Sequence, residues 1–329
     1  MDFCIHFSRC PPIYFPGENV IGHVVICSKQ TQEARQVLIK AVGVAKNNWN
    51  VNKQGGFWAT LDVINEESRS WGKCAEQPFI PSGELQIPFN FLLPLKSLPT
   101  FGGKDFWAKG KISYLVQVVV DTGRWALNKT SEAEFTVGRV SDLRLSPSVF
   151  NEISVIPKAV NIGLPLLKKG FVSLKASIPR KGCILREILP VTVTIDNASS
   201  SMIDELEIQF VQRVIFLAWE NVNARFSLDD SFQMGPTIGH NNRRTTDKIL
   251  ETKKTAVQVS SKDTGVFTIP IEIPTVIASF ECAITSVTYH LKITSRSTET
   301  IKSSVSCELP LVVGNIGLEG NQSETKIAL

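Results

Sequence analysis

No uninterrupted apolar run in the sequence is long enough to cross a bilayer, so no membrane-spanning helix is expected. The opening MDFCIHFSRC has neither a basic leader nor an extended apolar stretch before Arg9, which predicts no secretory signal and a chain that stays in the cytosol. C-x-x-C pairs and metal-finger spacings are missing among the cysteines at 4, 10, 27, 74, 183, 282 and 307, an odd set that suits reduced thiols, most of them buried in strands. Without secretion the sequons at Asn128, Asn197 and Asn321 carry no weight. There is no G-x-x-x-x-G-K-[ST] loop to cradle a phosphate, and His6, His23, His240 and His290 show no triad motif around any serine. Cys4 and His6 share a strand face but lack a further clustered ligand set, and His290 reads as solvent-facing. Glu66-Glu67 and Asp229-Asp230 read as solvated loop acids, and Cys74 as an exposed thiol in a polar loop. Catalytic residues, cofactor ligands and metal ligands are therefore not expected, and the chain is not expected to be an enzyme. A net charge of +4 falls short of the basic excess of a nucleic-acid binder, so nucleic acid is not an expected partner.

Helical spacing is rare, and period-two alternation takes its place. Val191, Val193 and Ile195 alternate with Thr192, Thr194 and Asp196; Val172, Leu174, Ala176 and Ile178 alternate with Ser173, Lys175 and Ser177; Val287, Tyr289, Leu291 and Ile293 alternate with Thr288, His290 and Lys292. Turn residues at Pro16-Gly17, Gly55-Gly56, Pro81-Ser82-Gly83, Gly102-Gly103 and Lys181-Gly182 cut the chain into many short antiparallel strands, an all-β sandwich pattern. The pattern occurs twice. SGELQIPFNFLLP followed by KISYLVQVVVD in the first half matches TGVFTIPIEIPT followed by TSVTYHLKITS in the second, each with Gly-x-x-x-Ile-Pro and then apolar-x-Tyr-x-apolar. Two consecutive antiparallel Ig-like β-sandwiches follow, over residues 1–142 and 143–315, with 316–329 as a short flexible tail.

Two stretches suggest contact with partners. Pro11-Pro12-Ile13-Tyr14 is a P-P-x-Y pattern of the kind WW domains read, yet it runs into Pro16-Gly17, where Tyr14 is expected to be held by hairpin pairing. The sequence is compatible with both readings. Arg243, Arg244, Lys248, Lys253 and Lys254 form a basic cluster, read as a cationic loop able to meet acidic lipid or a phosphorylated tail, or else as a solvated loop.

The stretch YFPGENVIGHVVI, with Pro16, Gly17, Glu18 and Gly22, resembles the opening signature of arrestin-domain proteins. LPTFGGKDFWAKGKISYLVQVVVD resembles the later N-domain signature, and GFVSLKASIPRKGCILREILPVTVTIDNASSSMIDELEIQFVQRVIFLA, CAITSVTYHLKI and ELPLVVGNIGL resemble the C-domain, with Arg186 where a glycine often precedes the glutamate. The resemblance covers nearly all of residues 1–318 and favours the alpha-arrestin branch. It implies an arrestin fold and a non-enzymatic adaptor that binds receptors or transporters at the plasma membrane or endosomes, linked to WW-domain HECT ubiquitin ligases. The alternatives are a coat subunit of the retromer type or a redox-regulated arrestin that binds thioredoxin. After Gly314 only NIGLEGNQSETKIAL remains, without the tail P-P-x-Y through which the family usually reaches a ligase, and without the tail arginine of the visual and beta-arrestin switch.

Overall fold

Over 172–178 and 191–196 the alternation read from the sequence is the burial pattern of the strands, while over 287–293 it is not. In a computed structural model, which describes residues 1–51, 55–71, 79–102, 110–122, 128–155, 160–164, 167–220, 223–232, 241–297 and 304–316, the chain divides into two compact units, and strands dominate both. The first unit comprises Met1–Arg139 with Phe216–Arg244 and Glu281–Thr285; the second comprises Val140–Ile215, Thr245–Phe280 and Ser286–Leu329.

The longer strands of the first unit, with two-residue β2, are β1 (Asp2–Phe7), β2 (Ile13–Tyr14), β3 (Asn19–Ser28), β4 (Gln36–Val51), β5 (Gly55–Trp71), β6 (Gly83–Leu92), β7 (Gly110–Asp121) and β8 (Lys129–Val137). One sheet runs β1-β3-β6 and the other β5-β4-β7-β8-β2, with β2 parallel to β8 and the other neighbours antiparallel. Val20, Val24 and Ile26 of β3 and Ile39, Ala41, Val116 and Val118 of β4 and β7 are fully buried. Each large apolar side chain removed from water contributes about 1.5–3 kcal/mol, so this alternating face fixes the register.

The second unit contains β9 (Leu167–Ile178), β10 (Gly182–Ile184), β11 (Ile188–Ser199), most of β12 (Ile203–Glu220), most of β13 (Asn241–Val259), β14 (Asp263–Glu272), most of β15 (Thr285–Arg296) and β16 (Ser304–Gly314). One sheet is built on β9-β11-β14; the other runs β10-β16-β15-β12 with β13 against β12. Its core takes Val172, Leu174 and Ala176 from β9, Val191, Val193 and Ile195 from β11, and Leu291 and Ile293 from β15.

The sequence repeat is also a repeat of hydrogen bonds. Tyr114 donates its hydroxyl to the Leu98 carbonyl at 2.5 Å, and Tyr289 donates to the Ile277 carbonyl at 2.7 Å. Burial pushes both phenols above their ordinary range. In the first unit Thr100 N–H donates to Val137 O at 2.8 Å and Val137 N–H to Thr100 Oγ1 at 2.9 Å; in the second Ser279 N–H donates to Val313 O at 2.8 Å and Val313 N–H to Ser279 Oγ at 2.9 Å. The same two-bond tie thus anchors the final strand of each sandwich to the segment before the buried tyrosine.

Candidate functional site

The residues singled out by the opening signature form a clasp at the entry to β3. Pro16 presets one turn dihedral and Gly17 supplies φ +84°, a left-handed value that L side chains resist. Gly17 N–H donates to Leu93 O at 3.0 Å, and Leu93 N–H donates to Glu18 O at 2.9 Å. The Glu18 carboxylate turns back to accept Phe15 N–H at 2.9 Å and Arg9 Nη1 at 2.6 Å, while the same Arg9 nitrogen donates to Ile13 O at 3.0 Å. The hydrogen bond from Arg9 holds the Glu18 carboxyl below the usual carboxylate range. Gly22 is required by space: a Cβ there would stand 2.2 Å from His6 O and 2.4 Å from Phe89 Cζ.

The second unit repeats this clasp. Arg180 donates to the Glu187 carboxylate and, through Nη1, to Gly182 O at 3.1 Å, while Ile184 N–H donates to Glu187 Oε2 at 3.0 Å. Arg186 takes the place of Gly17: its N–H donates to Ile273 O at 2.8 Å, Ile273 N–H donates to Glu187 O at 2.8 Å, and its φ is +63°. The turn thus keeps the left-handed geometry that glycine would supply, in a residue with a Cβ. Beside each clasp a short parallel strand pairs with a long strand of its unit, β2 with β8 and β10 with β16. Arg9 and Arg180 escaped the sequence reading; superposing the two halves on Glu18 and Glu187 brings them nearly into line and would have found them.

The P-P-x-Y segment is drawn into the same structure. Tyr14 is 0% exposed, its ring packs edge-on against Phe135 at 5.7 Å, and its hydroxyl donates to Ile21 O at 3.3 Å. The Arg9 guanidinium stands 4.8 Å above the ring. Pro11 is exposed, and Pro12 O accepts Thr136 N–H at 2.9 Å. A WW groove needs the tyrosine ring outside the protein, and in this fold the ring is core.

The basic cluster lies in strand β13, where a loop was expected. Arg243 is exposed and Arg244 half-buried, with Lys248 half-buried further along. Lys253 Nζ donates to Pro270 O at 2.7 Å, and Lys254 Nζ stands 3.5 Å from Glu205 and 3.6 Å from Glu207. Strand alternation spreads the five cations over two faces instead of one patch. Glu66 and Glu67 also sit in a strand, β5, where Glu67 pairs with Lys40 at 2.9 Å. Asp229 meets Lys96 at 2.5 Å, and Asp230 accepts Ser227 N–H at 2.7 Å.

His290 departs from the sequence reading, being only 5% exposed. Its Nε2 lies 3.8 Å from Glu308, and Arg213 joins Glu308 to Asp247, so charged groups from three other strands crowd its face. Burial pulls the imidazole below its ordinary value, opposed by Glu308. Burial also pushes the Cys183 thiol up to about 12 and the Cys307 thiol up to about 11, and it raises Cys282. Those thiols are poor nucleophiles. Cys4, Cys10 and Cys27 are exposed, and Cys74 lies outside the described residues. Among the described residues no group of three or more His, Cys, Asp or Glu side chains could hold a metal ion, and no helix is long and apolar enough to cross a membrane.

A doubled sandwich with a glutamate clasp in each half defines an arrestin-type protein, and comparison with known families agrees. Residues 3–144 match the arrestin (or S-antigen) N-terminal domain, and residues 168–318 match the arrestin (or S-antigen) C-terminal domain. The chain belongs to the arrestin family, in its alpha-arrestin branch. It is 25% identical over 216 residues to arrestin domain-containing protein 1 of Mus musculus, covering 66% of this chain and 48% of that protein. It is 27% identical over 202 residues to arrestin domain-containing protein 4 of Homo sapiens, covering 58% and 47%. Thioredoxin-interacting protein of Homo sapiens is 24% identical over 208 residues, covering 61% and 51%. The chain thus spans about half the length of the curated relatives it matches.

Proposed function

We propose that the protein is a cytosolic, non-enzymatic adaptor that binds the cytosolic segments of membrane receptors or transporters during endocytic or endosomal trafficking. The carrying observation is the match of both arrestin domains, in order, over nearly the whole chain. Exposed Arg243 on β13 is the contact offered to acidic headgroups. A link to a WW-domain ligase through Pro11, Pro12 and Tyr14 requires Tyr14 to leave the core, so the folded protein is expected to bind WW domains weakly. Purification after cross-linking in cells tests the adaptor reading: membrane proteins and trafficking components should be enriched over a control β-sandwich. No enrichment would reject it. Stoichiometric co-purification with a stable coat would instead assign the chain to a coat.

The likeness to thioredoxin-interacting protein favours a second reading, in which an exposed thiolate of the chain attacks the disulfide of oxidised thioredoxin, forming a mixed disulfide and releasing the other thioredoxin cysteine as a thiol. Cys4, Cys10 and Cys27 are the thiols that stand in solvent among the described residues. Incubation with oxidised thioredoxin followed by acid quenching tests this, and the absence of any mixed disulfide removes it.

A further inference from the structure

The outer face of the β1-β3-β6 sheet carries side chains that neither the clasp nor the core uses. The antiparallel register sets His6 opposite His23, Cys4 opposite Val25 and Asp2 opposite Cys27. Residues opposed across a ladder share a face, as do residues two apart along a strand. Cys4, His6, His23 and Cys27 therefore stand on one side of the sheet, with Val24 and Ile26 buried on the other. His6 and Cys4 are exposed and His23 is half-buried. The two imidazoles stack with centroids 5.1 Å apart and planes inclined by 23°. Within its sheet β1 pairs with β3 alone, so this contact is also where an edge strand is held to the protein.

We propose that His6 and His23 form a two-imidazole clamp for a late transition-metal cation, Zn²⁺ or Cu²⁺, which ties edge strand β1 to β3. Imidazole is a preferred ligand of both ions. Metal–nitrogen bonds of about 2.0–2.1 Å set two shared nitrogens roughly 3–4 Å apart. The rings stack with centroids 5.1 Å apart and His6 is exposed, so side-chain rotation is the movement that would bring two ring nitrogens to that spacing. The clamp has two protein ligands, and water completes the coordination. It is accordingly an open, exchangeable site. Because only folded pairing brings the two histidines together, metal that binds them stabilises the β1–β3 ladder by mass action.

The test uses the full chain stripped with chelator, titrated calorimetrically with Zn²⁺ and with Cu²⁺, and followed by hydrogen exchange of the Asp2–Phe7 amides. The clamp predicts saturable uptake, tighter for Cu²⁺ than for Zn²⁺, and slower exchange in β1 when metal is bound. His6→Gln and His23→Gln should each weaken binding by at least about tenfold and abolish the metal-dependent protection. Both variants should melt like wild type in chelator. Cys4→Ser should keep the uptake. Uptake that survives in the His6→Gln/His23→Gln double variant, or that is lost in Cys4→Ser while the histidine variants retain it, overturns the clamp. So does the absence of saturable uptake by the wild-type chain.

Discussion

Replacing Tyr14 separates a docking peptide from a core residue. The ring is 0% exposed and touches Phe7, Phe135 and Arg9. Truncating a large buried aromatic to alanine costs about 3–5 kcal/mol, part lost transfer energy and part cavity. At about 2–4 °C per kcal/mol for a domain of this size, Tyr14→Ala should lower the melting midpoint of the first unit by roughly 6–20 °C. Tyr14→Phe keeps the ring and removes only the 3.3 Å bond to Ile21 O, so its cost should stay within about 1 kcal/mol. Calorimetry on wild type and the two variants, paired with titration of the folded proteins against a WW domain, reads both effects. If Tyr14→Ala melts with the wild type while abolishing tight WW binding, the ring is a ligand and the burial argument fails.

Arg186→Gly should stabilise the second unit by about 0.5–1 kcal/mol in chemical denaturation, because a left-handed residue with a Cβ costs about 1–2 kcal/mol and the added freedom of glycine in the unfolded chain offsets part of the gain. Asn47→Ala should destabilise the first unit by about 1–3 kcal/mol, since Asn47 Nδ2 donates to Leu217 O at 2.9 Å and to Ile284 O at 2.8 Å, and Leu217 O loses this donor while Ile284 O keeps the Leu217 N–H at 2.9 Å; urea unfolding measures it. For His290 the folded value lies below the ordinary 6.5, so as pH falls below that value the unfolded chain takes up a proton that the folded chain refuses. Stability should therefore drop as pH falls from about 6.5 toward the folded value, and His290→Gln should flatten that part of a stability–pH profile.

Much of the fold was legible because strand alternation and burial are the same signal. The apolar residues of 172–178 and 191–195 that alternate in the sequence are the buried ones in the sheets. The repeated Tyr114 and Tyr289 proved to mark a repeated hydrogen bond as well. What escaped was whatever depends on register or on a second layer. His290 alternates like a solvent residue, yet Arg213, Asp247 and Glu308 come from other strands to cover it. The basic cluster looked like a loop because its charges hide the weak alternation of a half-exposed strand. His23 shows no relation to His6 along the chain, since only the β1–β3 ladder sets them opposite each other. Arg9 and Arg180 likewise reach their glutamates across turns whose closure no local propensity encodes.

The adaptor assignment is tested most directly by proximity labelling with the full chain in its native cell type, beside a labelled control β-sandwich of similar size. An arrestin-type adaptor should enrich membrane receptors or transporters together with endocytic or endosomal proteins. A labelling profile that matches the control would contradict it.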